Sequence, residues 1–264
     1  MALIAMAVWD TVKNDRTKYT KRTLTNLFNG TIDIDKHRVV IVDNGSCEET
    51  KDFLNSYNNW GTIITNKENV GTAKAINKAW SLRKDGEHLI KMDNDVEIFH
   101  KDWVDEMEEV INLSDRLPKP IGILGLKRVD LFEDTYRNDS YRSTLVQIPH
   151  LKGEYWHNIE IASHIMGTCQ MYNYRLIDNI GGLEQMDGLY GFDDSIASLK
   201  SELSGFVNAF LSHIKIDHID TADNKGYTEW KSNYANEMWA KFHELVEDYK
   251  SGVRDMYVPL THEQ

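Results

Sequence analysis

Two aspartates one residue apart end a short apolar stretch near the middle of the chain. Residues 88–92 are mainly apolar, and Asp93 and Asp95 follow them with Asn94 in between. Such a run predicts a buried strand, and carboxylates at the carboxyl end of a strand lie where open α/β sheets bind ligands. If the strand continues, alternation places both carboxylates on one side. They would then share one divalent cation, or bind a metal and a sugar separately.

A solvated loop would also account for this pair, but two neighbouring carboxylates repel each other unless a cation or a proton relieves them. Phosphatases of the haloacid dehalogenase type use a similar Asp-x-Asp pattern, which continues after one further residue to threonine. That position is Glu97 in this sequence. The phosphatase interpretation is therefore disfavoured.

A second acidic pair, Asp193 and Asp194, follows a glycine-rich segment at the predicted start of a helix. The helix dipole favours acids there, so N-capping explains the pair as well as a role as general base that deprotonates an acceptor hydroxyl. Farther along the chain, His218 ends a late strand beside acids. A lone histidine is usually structural, but one next to carboxylates can bind a metal in a fixed tautomer.

Polar residues also follow the second and third predicted strands. Asp43 ends a β-branched run and points into the crevice at the strand ends, where a nucleobase or a ribose would bind, although an Asx-turn is the commoner role of such an aspartate. Amide and ammonium groups near the start of the next helix can contact nucleotide oxygens, while capping and solvation explain them equally well. These residues are Asn66, Asn69, Gly71, Lys74 and Asn77.

Apolar strands alternate with amphipathic helices along most of the chain. The alternation predicts an α/β fold with a mostly parallel central sheet, right-handed crossovers and flanking helices. The predicted strands are 2–8, 38–43, 62–65, 88–92, 121–126, 161–172 and 206–219, and the predicted helices are 17–29, 47–58, 72–82, 101–113, 174–180, 195–203 and 227–250. Residues 127–160 break the pattern, which predicts a hairpin or a loop insertion over the site.

Composition indicates an ordinary globular chain. The 264 residues contain 41% hydrophobic and 27% charged residues, and no linker divides them, so a single domain is expected. The net charge of −12 argues against broad binding to polyphosphates. Cys47 and Cys169 form neither a CxxC motif nor a Cys/His cluster, so no zinc site or disulfide is predicted, and a cytoplasmic location is expected. The apolar residues 1–9 are too short for a membrane span and lack the features of a signal peptide.

Five motifs in order along the chain resemble the family 2 glycosyltransferases of the GT-A fold. The resemblance spans about residues 2–220, and each motif alone is modest. The motifs are residues 40–46, the segment Asn69-Val70-Gly71 with Asn77, the segment Asp93-Asn94-Asp95, the segment Gly181-Gly182-Leu183 with Phe192-Asp193-Asp194, and the pair Asp217-His218.

The resemblance implies a metal-dependent, inverting transfer of a sugar from a nucleoside-diphosphate sugar. It assigns Asp95 and His218 to a Mn²⁺ or Mg²⁺ ion held against the diphosphate, where the cation stabilises the charge of the leaving group. The implied donor contacts are Asp43 on the nucleobase, the segment with Asn69, Gly71, Lys74 and Asn77 in the donor pocket, and Asp93 with Asn94 near the ribose or the sugar.

In this family the acidic pair is usually Glu-Asp, with the second acid as the base. The resemblance therefore makes Asp194 the base and Asp193 its support, and the departure to Asp-Asp leaves that choice open. It also implies one GT-A domain over residues 1–264. The donor half is about 1–100, the acceptor and catalytic half about 101–225, and the C-terminal helical extension about 226–264.

The sequence says least about the acceptor and the oligomeric state. A glycan or another cell-surface precursor is the expected acceptor, and a hydroxylated base in DNA is the alternative. Basic residues outnumber acids seven to four in residues 116–152 and five to one in residues 13–22, which fits a polyanion or merely a solvated surface. The first of these segments and its flank also contain aromatic residues that could stack on a sugar or a base, namely Tyr136, Tyr141, Tyr155 and Trp156.

A non-catalytic module that binds nucleotide sugars is a further alternative, against which the retained acids and His218 argue. Two enzyme classes with related folds fit poorly. No GxGxxG motif follows the first strand, as a dehydrogenase would require. A glycine-rich basic loop, expected of a sugar nucleotidyltransferase, is also missing there.

Overall fold

The computed structural model describes residues 1–57, 59–129, 144–220 and 225–260. The strands are β1 (Ala2–Val8), β2 (Arg38–Asp43), β3 (Thr62–Thr65), β4 (His88–Met92), β5 (Val96–Ile98), β6 (Ile121–Arg128), β7 (Thr144–Pro149), β8 (Trp156–Ile161), β9 (Cys169–Tyr172) and β10 (Val207–His218). The helices are α1 (Thr17–Asn26), α2 (Glu48–Asn55), α3 (Thr72–Trp80), α4 (Trp103–Leu113), α5 (Tyr174–Ile180), α6 (Asp193–Leu203) and α7 (Lys225–Ser251).

The strands form one sheet in the order β3-β2-β1-β4-β9-β6-β10-β8-β7, with β5 paired to β10. Pairings β1–β2, β1–β4, β2–β3 and β6–β10 are parallel, whereas β9 is antiparallel to both β4 and β6. Six strands, β3, β2, β1, β4, β6 and β10, therefore point the same way, with β9 reversed between them. The predicted α/β fold with a mostly parallel central sheet is confirmed.

Both faces of the sheet carry an apolar core. In β1, Ile4 and Met6 belong to the cluster that contains Trp103 of α4, while Leu3 belongs to the opposite cluster, which contains Trp80 of α3. Because β1 is buried on both faces, its sequence is continuously apolar rather than alternating. This is the physical basis of the first strand predicted from the sequence.

The two aspartates after β4 do not continue its strand. Pairing of β4 ends at Met92, and the chain turns before β5, which runs antiparallel to β10. The N–H of Asp93 donates to the carbonyl of Thr168, whereas the carbonyl of Asp95 accepts from the N–H of Ile219. Each aspartate is therefore fixed by a different part of the chain, and strand alternation does not relate their side chains.

Other element boundaries also differ from the sequence-based expectations. The strand predicted for residues 161–172 is two strands, β8 and β9, because residues 162–168 leave the sheet between them. Helix α6 begins at Asp193 rather than at residue 195, so the acidic pair lies in its first turn, after Phe192 in a left-handed conformation. The C-terminal helix is confirmed and is 27 residues long.

The predicted insertion is in part a hairpin. Strands β7 and β8 pair antiparallel and form the outer edge of the sheet beside β10. Residues 130–143, which include Tyr136 and Tyr141, lie outside the described residues. Among the described helices, none is both long and apolar enough to cross a bilayer.

Candidate active site

A polar cleft of about 320 Å³ opens at the carboxyl ends of β1, β4 and β10. Parallel strands place their ends at one edge of the sheet, so motifs far apart in sequence meet there. Seven of the eleven predicted site residues line the cleft: Asn69, Asp93, Asn94, Asp95, Asp193, Asp194 and His218. The two acidic pairs therefore line one cleft.

Asp43 lies behind the cleft. Its Oδ1 accepts the N–H of Ser46 at 2.8 Å, a bond that closes the turn after β2, and its side chain is buried. The next residue, Asn44, does line the cleft, and its amide donates to Oδ1 of Asn69 and accepts from the amide of Asn66. This amide chain holds the ends of β2 and β3 together beside the cleft.

The remaining residues of the predicted donor segment support a neighbouring loop. The backbone N–H of Lys74 donates to Gln185, and the Asn77 side chain donates to the carbonyl and accepts from the N–H of Leu183. Gly71 has φ +95°, which favours glycine at the start of α3. Gly71, Lys74 and Asn77 are absent from the described cleft lining, and their donor roles stay predictions.

Asn94 contributes to the cleft wall, but its amide is already engaged. Its Nδ2 donates to Oδ1 of Asp10 and to Oγ1 of Thr20. Asp10 is fully buried, and burial raises the pKa of this carboxyl against the lowering effects of Thr20 and Arg16. Asn94 thus anchors the turn between the two aspartates to a buried polar cluster.

Asp95 and His218 form one half of the site. Nε2 of His218 lies 3.4 Å from Oδ2 of Asp95, and the guanidinium of Arg16 lies 2.6 Å from the same oxygen. Burial alone would raise the pKa of Asp95, but His218 and Arg16 outweigh it and hold the pKa below its usual value. Arg16 also pairs with Asp220, so this ion-pair network joins the start of α1 to the end of β10.

These residues fit a divalent cation. Oδ1 of Asp95 is buried and accepts no hydrogen bond from the described part of the chain, although the carboxylate is ionised. One carboxylate oxygen and one imidazole nitrogen are ligands that Mn²⁺ accepts, while Mg²⁺ prefers oxygen. Asp93 presents a further carboxylate that is 38% exposed to the cleft.

Lys91 connects the two acidic pairs. Its Nζ lies 3.2 Å from Oδ1 of Asp93 and 3.7 Å from Oδ2 of Asp193, and it donates to the carbonyl of Gly167 at 2.7 Å. Burial would lower the pKa of Lys91, but the surrounding carboxylates raise it well above its usual value. The lysine is therefore a buried cation between carboxylates.

Sequence reasoning missed this residue because Lys91 stands inside an apolar strand. The available signal was the lysine itself, since a single charge among otherwise apolar strand residues needs a partner when it is buried. Sequence reasoning also missed three further cations that line the cleft with it. They are Arg16, Arg128 and Lys231. A chain of net charge −12 thus concentrates four basic side chains around one acidic cleft.

The two acids of the second pair have different surroundings. Asp194 is anchored by the N–H groups of Gly167 and Ser195, and Nε2 of His164 lies 3.5 Å from its Oδ2. Burial raises the pKa of Asp194, but His164 and Lys91 outweigh this effect and lower the pKa to about 2. Its side chain is 25% exposed, so it is open to the cleft.

Asp193 faces inward instead. Its side chain is 13% exposed, and its Oδ2 accepts no hydrogen bond from the described residues. Burial raises its pKa to about 6, with Asp194 and Asp93 adding to the rise and Lys91 opposing it. The more exposed acid of the pair therefore ionises at lower pH, and the enclosed acid retains its proton more readily.

This arrangement predicts that Asp193→Asn stabilises the protein in a pH-dependent way. The native pKa lies above the ordinary value of 3.8, so the native state binds the proton more tightly than the unfolded chain. Stability of the wild type therefore falls as the pH rises from about 4 to about 6. At pH 8 the variant should gain about 1–3 kcal/mol in the free energy of unfolding, and at pH 4 the gain should vanish.

Urea unfolding between pH 4 and pH 8 measures this difference. Asp187→Asn is the matched control, because Asp187 lies in the preceding loop with a side chain that is 80% exposed. A gain that is the same at every pH would contradict the assignment of the raised pKa to Asp193.

Helix α7 supplies one rim of the cleft through Trp230 and Lys231. The Trp230 ring lies 6.3 Å from the ring of Trp9 and 5.9 Å from that of Tyr190, measured between centroids. Lys231 lies over the Tyr190 ring at 5.1 Å. Burial lowers the pKa of Lys231, while Asp95 and Asp93 oppose that shift. The C-terminal helix therefore lines the cleft as well as packing on the fold.

The sequence profile described as glycosyl transferase family 2 matches residues 11–181, which is more than half of the chain. The chain belongs to glycosyl transferase family 2. The matched region includes Arg16, Lys91 and the turn from Asp93 to Asp95. The residues Asp193, Asp194 and His218 lie beyond it. A comparison with curated proteins gives no match.

Solved glycosyltransferase structures share its fold. The mannosyltransferase PcManGT from Pyrobaculum calidifontis, in complex with GDP-Man and Mn²⁺, is 18% identical with a TM-score of 0.64, and the match covers 94% of this chain and 64% of that one. TarS residues 1–349 from S. aureus, in complex with UDP-GlcNAc, is 17% identical with a TM-score of 0.57, covering 84% and 61%.

A third similar structure is GalNAc-T7 with UDP, GalNAc and Mn²⁺. It is 13% identical with a TM-score of 0.57, and the match covers 83% of this chain and 44% of that one. This member of family 2 thus spans less than two thirds of the length of these three chains. The predicted GT-A fold is confirmed by these likenesses.

Proposed function

We propose that the protein is a metal-dependent, inverting glycosyltransferase that moves a sugar from a nucleoside-diphosphate sugar to an acceptor hydroxyl. The observation that carries the proposal is that Lys91 contacts Asp93 and Asp193 within one cleft. Lys91 lies between Asp93, which shares a turn with Asp95, and Asp193 at the start of α6. The two acidic pairs are therefore next to each other. Donor activation and acceptor deprotonation both fit in the same cleft.

On the donor side, Asp95 and His218 would hold Mn²⁺ or Mg²⁺, which would neutralise the negative charge that develops on the diphosphate leaving group. Arg16, Arg128 and Lys231 line the same cleft and would attract an anionic donor. The similar structures with GDP-Man, UDP-GlcNAc or UDP, two of them also with Mn²⁺, support a donor and a cation of these classes. Asn69, Asp93 and Asn94 would contact the donor from the cleft wall.

On the acceptor side, Asp194 is proposed as the general base, with Asp193 in support. Geometry comes before pKa in choosing a base, and Asp194 is the acid of the pair that is more open to the cleft. The N–H groups of Gly167 and Ser195 fix its orientation. Direct attack of the deprotonated hydroxyl on the anomeric carbon breaks the bond to the diphosphate and inverts the configuration.

A glycan or another sugar-bearing precursor is proposed as the acceptor. The rings of Trp9, Tyr190 and Trp230 at the cleft can pack on the apolar face of a sugar. A nucleic-acid acceptor receives less support, because four of the five basic side chains in residues 13–22 pair with carboxylates. These pairs are Arg16 with Asp95, Lys18 with Asp15, Lys21 with Glu49 and Arg22 with Glu97.

A thermal-shift screen of nucleoside-diphosphate sugars tests the proposal. A donor at about 100 times its Kd should stabilise the native state by about 2.7 kcal/mol, and we expect this rise in Tm only when Mn²⁺ or Mg²⁺ is also present. The matching nucleoside monophosphate is the control. Product analysis by NMR with the donor that binds should then show inverted anomeric configuration. Absence of a shift with every donor and both metals would rule out the proposal, and binding without turnover would favour the non-catalytic module.

A further inference from the structure

A second cluster of metal-binding side chains lies outside the cleft. Glu106 of α4, His157 of β8 and His213 of β10 each offer one ligand atom, and the three atoms lie within 4.8 Å of one another. None of the three lines the cleft. We propose that these residues form a binding site for a transition-metal ion of the Zn²⁺ class, which ties α4, β8 and β10 together.

The main observation is the buried side chain of His157. Its Nε2 lies 3.2 Å from Oε1 of Glu109. Its Nδ1 is buried, makes no hydrogen bond with any residue that the structure describes, and lies 3.8 Å from Oε2 of Glu106. A neutral imidazole that donates from Nε2 has a lone pair on Nδ1. Two acceptor atoms would then face each other in a buried space, which is unfavourable unless a cation lies between them.

The distances suit such a cation. Zn²⁺ binds imidazole nitrogen and carboxylate oxygen at about 2.0–2.2 Å in a tetrahedral arrangement, so neighbouring ligand atoms lie about 3.4 Å apart. Nε2 of His213 lies 2.8 Å from Oε2 of Glu106, and Nδ1 of His157 lies 3.8 Å from the same oxygen. Small side-chain adjustments bring both distances to that value. Two histidines and one glutamate leave a fourth position for water.

The surroundings of His157 match those of metal-bound histidines. Such a histidine usually donates its other ring N–H to a carboxylate, which fixes the tautomer. Glu109 fills that role, and the N–H of Leu151 donates to its Oε1 and fixes it in turn. Glu106 and Glu109 lie three residues apart on α4 and therefore on one face of the helix.

The path of β10 also directs His213 to this cluster. Pairing with β6 shifts between Leu211 and Lys215, so residues 212–214 are released from the regular ladder. A bulge of this kind redirects a side chain and is commonly found beside binding sites. His213 is 27% exposed, which gives an ion a route to the buried histidine.

Calorimetric titration of the full, chelator-treated chain with Zn²⁺ tests the site. The titration uses His218→Gln as background, because His218 belongs to the proposed donor-cation site. We expect one equivalent of Zn²⁺ to bind and to raise Tm. Adding His213→Gln should abolish this binding, whereas Glu109→Gln should weaken it about 10–100-fold through the lost contact to His157. His243→Gln, on α7, is the control and should change nothing.

X-ray absorption of the Zn²⁺-loaded background protein should show two imidazole ligands and oxygen. Circular dichroism establishes that the His213→Gln variant is folded, and if it is not, Glu109→Gln carries the comparison. Failure of the background protein to take up Zn²⁺ would overturn the proposal. Unchanged affinity in a folded His213→Gln variant, or in Glu109→Gln where His213→Gln does not fold, would overturn it equally.

Discussion

Asp194→Asn is expected to lower kcat by about 10²–10⁴-fold, the range for losing a general base, while the Kd of the donor stays unchanged. The asparagine keeps the size of the side chain, but its single amide oxygen can accept from the N–H of Gly167 or from that of Ser195 and not from both. The loop before β9 and the start of α6 should therefore stay joined through one of these two hydrogen bonds. What is lost is the ability to take a proton from the acceptor hydroxyl.

Single-turnover kinetics with saturating donor measures the chemical step, and calorimetry measures the donor Kd. Asp187→Asn, in the exposed loop before α6, should show wild-type values for both. Asp193→Asn distinguishes the roles of the two acids, because loss of a supporting residue should lower kcat less than loss of the base. If Asp193→Asn abolishes transfer and Asp194→Asn does not, the roles of the pair are exchanged.

Asp95→Asn is expected to remove the metal dependence of donor binding and to lower kcat by about 10²–10³-fold, the range for losing one electrostatic contact to a developing charge. The change removes the ionised carboxylate that lies 3.4 Å from Nε2 of His218. It also removes the ion pair of Arg16 with Asp95 and leaves the one with Asp220, so some loss of stability should accompany the loss of activity.

His218→Gln separates the loss of metal-dependent donor binding from the loss of stability. It removes the imidazole ligand but leaves the ion pair of Arg16 with Asp95 in place. We therefore expect it to weaken Mn²⁺-dependent donor binding with a smaller change in Tm than Asp95→Asn. Glu97→Gln is the matched control, because Glu97 lies two residues beyond Asp95 but pairs with Arg22 at the surface. Transfer at the wild-type rate in His218→Gln without added metal would contradict a metal-assisted reaction.

The predicted elements agree with the structure where local sequence decides the outcome. Strands β3 and β4 and helix α5 have the predicted bounds, because each is a short, largely apolar run between strong turn residues. The strand predicted for residues 161–172 is wrong, since apolar residues such as Ile165 are buried outside the sheet and imitate a continuing strand. Periodicity reports burial, and it does not report whether a residue pairs in a sheet.

Much of the proposed site was also available from the sequence. Asp93, Asp95, Asp194 and His218 follow or begin regular elements, and the carboxyl ends of parallel strands meet at one edge, so their convergence is a consequence of the fold class. The different roles of these residues could not be predicted from the sequence. Contacts with His218, Arg16, His164 and Lys91 separate the protonation behaviour of Asp93, Asp95, Asp193 and Asp194. These contacts join residues that are far apart in sequence, such as Arg16 with Asp95 and Lys91 with Asp193.

By itself, then, the sequence determined the fold class, the order of most elements and the family resemblance, because these depend on residues that are neighbours along the chain. Only the tertiary structure decided that Lys91 lies between the acidic pairs and that α7 brings Lys231 to the cleft. It alone also placed Glu106, His157 and His213 together, where the absence of a Cys/His motif had predicted no zinc site. The physical reason is that such contacts depend on strand order, a bulge and helix packing, none of which has a local signature.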